Sequence, residues 1–232
     1  MATALRRLIL APHGGLTTNS PPTGLTSSNA DQARHQSVSA PDSAWLYSPF
    51  YCEENAWHAV ATLASDHAHI AVLCILGRSG HVAVWRHRLA ARPSYPLVWD
   101  YHVVALARES GSSDWAVFDP DSTLPWGLSA RTYLAETFPP AIELLPEYQP
   151  CFRWFDGREY QRRLNATRRH MRNADGTWQA PPPLWPLIRS KAPDAFDLPE
   201  LRNADCCTLP PPLDLSQLYS LLCPGAAPAT HS

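Results

Sequence analysis

The sequence predicts an α+β fold, with a central, mostly antiparallel sheet and a helix packed on it. Two observations predict this class. A stretch in which apolar residues have helical spacing comes first, at residues 57–64. Apolar, partly β-branched runs follow at 70–76 and 97–107, each with a turn rich in glycine and serine behind it. A helix followed by antiparallel strands is the order that we expect of an α+β domain.

The first helix is predicted to begin near residue 50. Ser48 is a suitable N-cap, and Pro49 is a suitable first helical residue. This start places Cys52 in the opening turns, and a start nearer to Cys52 itself is the alternative. The expected buried face consists of Trp57, Val60, Ala61 and Ala64.

Two hairpins are predicted after this helix. The first joins residues 70–76 to residues 81–85 through a turn at 77–80. The second joins residues 97–107 to residues 115–118 through a turn at 110–113. Later segments are predicted to be short helices at 128–137 and 213–222, a basic stretch compatible with a helix at 160–171, and an extended stretch that begins at Pro181.

The composition is sufficient for one folded domain. The chain has 232 residues, 45% of them hydrophobic, and a formal net charge of −2. We assign the domain to residues 43–223. Residues 1–42 are rich in Ser, Thr, Pro and Ala and are predicted to be a disordered extension, and residues 224–232 a disordered tail. The first thirty residues contain no acidic residue, so an organelle transit peptide is the alternative for that segment.

Charge and cysteine spacing exclude several classes of function. The near-neutral charge gives no reason to expect nucleic acid or an acidic membrane as a partner. No apolar run approaches the roughly 20 residues of a membrane span. The six cysteines form no C-x-x-C pair, which favours a reduced, intracellular protein over a disulfide framework or a zinc site. We therefore expect a cytoplasmic protein, with the nucleus as a further location.

Cys52 is the candidate nucleophile. A cysteine at a helix start lies beside free backbone N–H groups, which favour the thiolate and can bind a developing oxyanion. Its neighbours Tyr51, Glu53, Glu54 and Asn55 are unusual around a cysteine that only fills a core. A small core residue is nevertheless the alternative for any single cysteine.

His102 and Asp119 are the candidate base and orienting acid. His102 lies within a strand-like run, where a histidine of the core is the alternative. If the second hairpin is centred between Ser110 and Gly111, His102 lies directly opposite Asp119 on the same face of the sheet. A slip of one residue would separate them. The nearby Asp121 is expected to bond its own backbone in the turn that Pro120 starts.

Other patterns in the chain are less specific. His67-x-His69 lacks a third metal ligand in the sequence, so a solvated loop is favoured there. Two arginine pairs, at 162–163 and 168–169, suit either an anion site or a solvated helix face. The prolines at 181–186 suit either a ligand for SH3 or WW domains or a structural packing element.

Several motifs resemble those of the protein N-terminal glutamine amidohydrolase family. They are Tyr51-Cys52-Glu53-Glu54-Asn55 with Trp57, Val98-Trp99-Asp100-Tyr101-His102-Val103-Val104, Asp119-x-Asp121-x-x-Leu124-Pro125, and Arg169-His170-Met171 leading into Gly176-x-Trp178-x-x-Pro181-Pro182-Pro183. The resemblance covers residues 47–190. The chain departs from the family at 205–210, where the family has an aromatic-rich segment.

The resemblance implies an enzyme that converts an N-terminal glutamine to glutamate and releases ammonia. It implies Cys52 as nucleophile, His102 as base and Asp119 as orienting acid, on a fold related to papain and transglutaminases. It also implies a monomer that uses no metal or other cofactor. Its partners would be proteins or peptides with an N-terminal glutamine, and its product would enter the Arg/N-degron pathway.

Such an enzyme needs an acid that binds the free α-ammonium group of its substrate. Glu53 is the preferred candidate because it adjoins Cys52, and Glu54 and Asp100 are alternatives. Tyr51 and Trp99 are candidate walls of the cleft, or core aromatics. Other functions compatible with these motifs are a cysteine peptidase, a transglutaminase-like acyl transferase and a non-catalytic binding module.

Overall fold

A computed structural model describes residues 45–224. Its helices are α1 (Cys52–Leu63), α2 (Ala130–Thr137), α3 (Gly157–Arg163), α4 (Leu198–Arg202) and α5 (Leu215–Leu222). Its strands are β1 (His69–Gly77), β2 (Val82–Val84), β3 (Leu97–Trp99), β4 (Tyr101–Arg108), β5 (Ala116–Phe118), β6 (Leu128–Ser129), β7 (Pro150–Asp156), β8 (Leu164–Asn165) and β9 (Phe196–Asp197). Short 3₁₀ turns cover Pro146–Tyr148 and Arg169–Met171.

The central sheet has five antiparallel strands in the order β6-β5-β4-β1-β7. Two small sheets flank it: β2 pairs with β3 in an antiparallel manner, and β8 pairs with β9 in a parallel manner. This architecture confirms the α+β class and the mostly antiparallel sheet.

Helices cover both faces of the central sheet. On one face, α1, α3 and α4 enclose a core with alternate residues of β1 and β4, such as Val72 and Val103. On the other face, α2 and α5 pack on the intervening residues, such as Leu73 and Val104. Strands that are buried on both faces read as continuous apolar runs, and the sequence of β1 is of this kind.

Helix α1 begins at Cys52, so the later of the two predicted starts is correct. Ser48 is not its cap, because the side chain of Asn55 accepts from the Ser48 N–H at 2.8 Å and donates to the Ser48 carbonyl at 2.9 Å. The chain turns at Phe50, whose φ of 71° lies in the left-handed region. Tyr51 is the N-cap residue and makes no side-chain capping bond. The N-cap residue therefore contributes no side-chain hydrogen bond to the first turn of α1.

The buried face of α1 differs from the prediction. Ala61 and Ala64 are exposed, whereas Ala56, Ala59 and Leu63 are buried against the sheet. The physical reason is the large contact that α1 makes with β4, which places the small alanines at 56 and 59 where the helix and the sheet approach each other.

The first predicted hairpin is wrong in its pairing. A tight turn does join β1 to the next strand, with the Gly80 N–H donating to the Gly77 carbonyl at 2.9 Å. However, β1 is central and pairs with β4 and β7, while β2 pairs with β3. Local turn chemistry identified the strands, but long-range pairing decided their partners. The strand β7 was not predicted.

The second predicted hairpin exists, with its register shifted by two residues. Ala105 pairs with Phe118 and Leu106 with Val117, so Asp119 lies beyond the end of the ladder rather than directly opposite His102. A shift of two residues preserves the face on which each side chain lies. Asp119 thus remains on the same face as His102, and the two groups meet diagonally.

The basic stretch at 160–171 is helical only in its first part, where α3 ends at Arg163. The helices predicted at 128–137 and 213–222 are confirmed as α2 and α5, with slightly later starts. The expected disorder at 1–42 and in the tail falls on residues outside those described, apart from Pro224. None of the helices within residues 45–224 has the length and apolar character that a membrane crossing requires.

Candidate active site

The candidate site lies where β5 leaves the edge of β4. The ladder between these strands begins at Ala105, so β5 does not cover the start of β4 at Tyr101 to Val103. Cys52, the first residue of α1, packs against Tyr101 and Val103 at this uncovered edge. A hydrogen bond from the Val103 backbone favours its thiolate. The thiol is therefore placed beside the residue that follows His102.

The imidazole of His102 is held by Asp119. Its Nε2 lies 3.0 Å from Asp119 Oδ2, and both side chains are almost fully buried. Asp119 also accepts a hydrogen bond of 2.7 Å from the Tyr133 hydroxyl on α2, and its Oδ1 accepts from the Asp121 N–H at 3.0 Å. These contacts fix the carboxylate and leave Nδ1 of the ring free of it.

The pKa values of this pair shift in opposite directions. Burial alone would lower the pKa of His102, but the charge and hydrogen bond of Asp119 outweigh it and raise the pKa. Burial alone would raise the pKa of Asp119, but His102 and Tyr133 outweigh it and lower the pKa. The pair is thus arranged to stabilise an imidazolium ion next to a carboxylate.

The surroundings of Cys52 favour the protonated thiol. Burial, together with the charges of Glu53 and Asp121, raises its pKa well above the ordinary value, although the Val103 N–H acts in the other direction. We expected the start of a helix to favour the thiolate, and burial overrides that effect here. Among the side chains of residues 45–224, the hydrogen-bond partner of the sulfur is Glu53 Oε2, at 3.9 Å, and no hydrogen bond joins the sulfur to His102.

Glu53 lies at the centre of a buried polar cluster. Its Oε2 accepts a hydrogen bond of 2.9 Å from the Tyr101 hydroxyl, and its Oε1 lies 3.8 Å from His170 Nε2. Burial raises the pKa of Glu53 to about 7. Burial likewise lowers the pKa of His170 to about 4, so this histidine is neutral near neutral pH. Glu53 is thus a carboxyl group in contact with the thiol that changes charge near neutral pH.

The other predicted acids have cationic partners. Glu54 makes a bidentate ion pair with Arg168, at 2.6 and 2.7 Å, and also accepts from the Trp185 indole. Asp100 is half exposed and pairs with Arg202 at 2.9 Å. Glu54 thus has a structural role, and Asp100 lies at the surface.

The two predicted aromatic walls have different positions. Tyr51 is fully buried, donates its hydroxyl to the Ala180 carbonyl and packs on Met171, so it is a core residue and not a wall. Trp99 is half-buried, with ring centroids 6.3 Å from Phe50 and 5.4 Å from His87. Its indole nitrogen is buried and has no hydrogen-bond partner among residues 45–224. An unsatisfied buried donor calls for an explanation, and a bound ligand is one.

Two buried residues beside His102, His87 and Asp121, were not predicted to belong to the site. His87 lies with its ring centroid 5.6 Å from that of His102. Asp121 was expected to bond its own backbone; instead its carboxylate accepts a hydrogen bond of 2.6 Å from the Tyr47 hydroxyl. Tyr133, the partner of Asp119, was also missed. These residues come from separate loops and helices, so no local pattern marks them, although the Asp-x-Asp spacing pointed to Asp121.

A metal ion has one conceivable set of ligands near the base. One atom each of His87, His102 and Asp121 lie within 4.8 Å of one another. However, the Leu89 N–H donates to Nδ1 of His87 at 3.1 Å, which places the ring proton of neutral His87 on Nε2. His87 then presents a hydrogen-bond donor rather than a lone pair, so we assign no metal to these residues.

The chain is similar to proteins with one shared description. It matches the sequence profile of the N-terminal glutamine amidase family over residues 47–205. A protein N-terminal glutamine amidohydrolase from Arabidopsis thaliana is 33% identical over 150 residues, which is 61% of this chain and 68% of that protein. A protein of the same name from Bos taurus is 30% identical over 166 residues, which is 69% of this chain and 79% of that protein. One from Homo sapiens is 30% identical over 161 residues, which is 67% of this chain and 77% of that protein.

Proposed function

The chain belongs to the N-terminal glutamine amidase family, and on that premise we propose that it deamidates N-terminal glutamine through a triad of Cys52, His102 and Asp119. As a member of this family it is a hydrolase that acts on amide C–N bonds. The observation that carries the triad is the 3.0 Å bond between buried His102 and Asp119, beside the strand edge on which Cys52 packs. Its fold is then that of a relative of papain and transglutaminases.

The first half of the reaction forms a thioester. Nδ1 of His102 takes the proton of the Cys52 thiol as the sulfur attacks the side-chain amide carbon of the glutamine. The C–N bond then breaks, His102 returns the proton to the leaving nitrogen, and ammonia departs. The raised pKa of Cys52 favours proton transfer during the attack, and the raised pKa of His102 helps the ring to accept that proton.

The second half hydrolyses the thioester. A water molecule gives a proton to His102 and attacks the acyl carbon, and the thiol leaves with that proton, so that glutamate is released and the enzyme is restored. Both tetrahedral intermediates carry an oxyanion. The first turn of α1 leaves the Cys52 N–H without an intrahelical acceptor, which makes it a suitable donor to that oxyanion.

Three further residues are proposed to bind substrate. Glu53 contacts the thiol, so its carboxyl group would lie beside the substrate amide that the thiol attacks. Trp99 offers its unpaired indole N–H and an aromatic surface. Asp100 lies further out, paired with Arg202. The partners are then proteins or peptides that begin with glutamine, and we propose a cytoplasmic or nuclear monomer whose product enters the Arg/N-degron pathway.

Ammonia release from matched peptides tests the reaction. We expect release from a peptide with N-terminal glutamine, and at least about a hundredfold less from its Nα-acetylated form or from one with internal glutamine. The reason is that the free α-ammonium is a charge that the site must bind. Similar rates on all three peptides would instead support a transglutaminase-like or peptidase activity. A chain without turnover and with an unreactive Cys52 would be a binding module.

Substitution of the triad tests the residue roles. Cys52→Ser is expected to abolish turnover with the fold intact, and Asp119→Asn to lower kcat by about three to four orders of magnitude, through the wrong ring tautomer. The exposed Cys207 and Asp114 offer the matched controls Cys207→Ser and Asp114→Asn, which should retain activity. Turnover near the wild-type rate in either triad variant would contradict the role of that residue.

A further inference from the structure

Asp121 is a buried carboxylate that lacks a cation. Its side chain accepts one hydrogen bond, from the Tyr47 hydroxyl at 2.6 Å. No ion pair reaches it from another residue in the described part of the chain. His102 and Arg88 lie near enough to favour its charge, but His102 pairs with Asp119, and the Arg88 Nε donates to the Ser122 carbonyl. Burying a carboxylate without a cation is costly, which suggests that a ligand supplies the charge.

Asp121 lies between the proposed base and the surface. One of its oxygens is within 4.8 Å of a ring nitrogen of His102. Its negative charge raises the pKa of the Cys52 thiol more than the charge of Asp119 does. On its outer side, its partner Tyr47 is 42% exposed. Glu53, by contrast, is only 1% exposed and lies among Tyr101 and His170.

We propose that the Asp121 carboxylate, oriented by the Tyr47 hydroxyl, binds the α-ammonium group of the substrate. This inference rests on the proposed function and assigns the specificity for a chain terminus. In one glutamine the α-nitrogen and the side-chain amide carbon are about 5 Å apart when extended. An ammonium held by Asp121 thus leaves the amide within reach of the thiol, while the peptide chain leaves past the exposed Tyr47.

The same contact would also activate the nucleophile. In the free site, the charge of Asp121 opposes formation of the Cys52 thiolate. A substrate ammonium cancels that charge at the moment of binding, so the thiol is easier to deprotonate only when the correct substrate is present. An acetylated terminus has no charge and would lose both the binding and this activation.

The test compares Asp121→Asn with Glu53→Gln and the surface control Asp114→Asn. For each protein, kcat/KM is measured on a peptide with N-terminal glutamine and on its Nα-acetylated form. We expect Asp121→Asn to lose at least about tenfold on the free peptide and little on the acetylated one, so that selectivity collapses. Alkylation of its Cys52 by iodoacetamide should become faster, because the opposing charge is gone. Because a loosened site would also expose this buried thiol and speed up alkylation, the variant must unfold in urea at the wild-type midpoint for the comparison to count.

The outcomes separate this inference from the proposed function. Asp121→Asn with wild-type selectivity overturns the assignment, and a collapse confined to Glu53→Gln transfers the role to Glu53. A wild-type protein that deamidates neither peptide refutes the proposed function, and the assignment falls with it. If Asp121→Asn does not fold, Tyr47→Phe decides. This variant removes only the orienting hydroxyl and should weaken selectivity several-fold, and unchanged selectivity would count against the assignment.

Discussion

Asp119 and Glu53 both lie close to the proposed nucleophile, and the pKa values of their carboxyl groups are shifted in opposite directions. The pKa of Asp119 is lowered because His102 and Tyr133 both donate to it. The pKa of Glu53 is raised to about 7 because burial outweighs its hydrogen bond from Tyr101. At the scale of single residues, two buried carboxyl groups thus have different pKa values because their hydrogen-bond donors differ.

Glu53 makes the stability of the fold depend on pH. Below about pH 4.5 the group is protonated in both states; above it the unfolded chain loses the proton first, so folding becomes less favourable until about pH 7. We expect Glu53→Gln to lack this decline and to gain stability relative to wild type across that window, by at most on the order of 3 kcal/mol. Urea unfolding at intervals between about pH 5 and pH 8 measures it.

The exposed Glu147 supplies the matched control for that experiment. Glu147→Gln should follow the wild-type dependence on pH, because its side chain is in water in both states. Parallel profiles for wild type and Glu53→Gln would show that the Glu53 carboxylate is not destabilised by burial in the folded protein.

At the scale of elements, a buried ion pair anchors the first turn of α1. Glu54 binds Arg168, and the same guanidinium donates to the carbonyls of Pro183 and Trp185. Arg168 itself has a φ of 55°, in the left-handed region, which tertiary contacts must hold in place. The proline-rich stretch is thus tied to the helix that carries the nucleophile, as a packing element.

Loss of Arg168 should be costly. Arg168→Met leaves the Glu54 carboxylate buried with only the Trp185 indole as donor, and we expect a loss of about 3–5 kcal/mol in the free energy of unfolding. Urea denaturation measures it. The matched control is Arg162→Met, since Arg162 forms an ion pair with Asp194 that is half exposed, and should change stability little. Equal losses in the two variants would show that burial does not strengthen the Glu54 pair.

Arg153 on β7 holds the segment at 203–210, which includes the residues 205–210 where the sequence departs from the family resemblance. This arginine is fully buried, and its guanidinium donates to the carbonyls of Asn203, Ala204, Cys206 and Pro210. Leu209 of the same segment lies in the core. A buried arginine that satisfies backbone carbonyls fixes an irregular segment without requiring a particular side chain in it.

At the scale of the whole molecule, the candidate site combines the two layers of helices. The thiol belongs to α1 on one face of the sheet, while Tyr133, which supports Asp119, belongs to α2 on the other face. The two layers meet at the start of β4, because β5 is too short to cover that edge. The position of the site is therefore a property of the sheet topology, and no single segment contains it.

Much of the fold and of the candidate site was predictable from local sequence patterns. The motifs around Cys52, His102 and Asp119 contain their own chemistry, and helical spacing located α1, α2 and α5. The pairing of β1 was not predictable, because a buried strand has the same apolar sequence whichever neighbours it has. We predicted the contact between His102 and Asp119 from a register that was wrong by two residues. The two side chains still meet, because a shift of two residues keeps them on the same face of the sheet.

Spacing and composition along the chain are enough to predict the fold class, the family and the residue types available for catalysis. Tertiary structure alone decided which groups carry a charge and which are satisfied. Glu54 is neutralised by a residue 114 positions away, while Asp121 has no ion-pair partner in the described part of the chain. Burial and long-range partners set these properties, and neither is encoded in a local pattern.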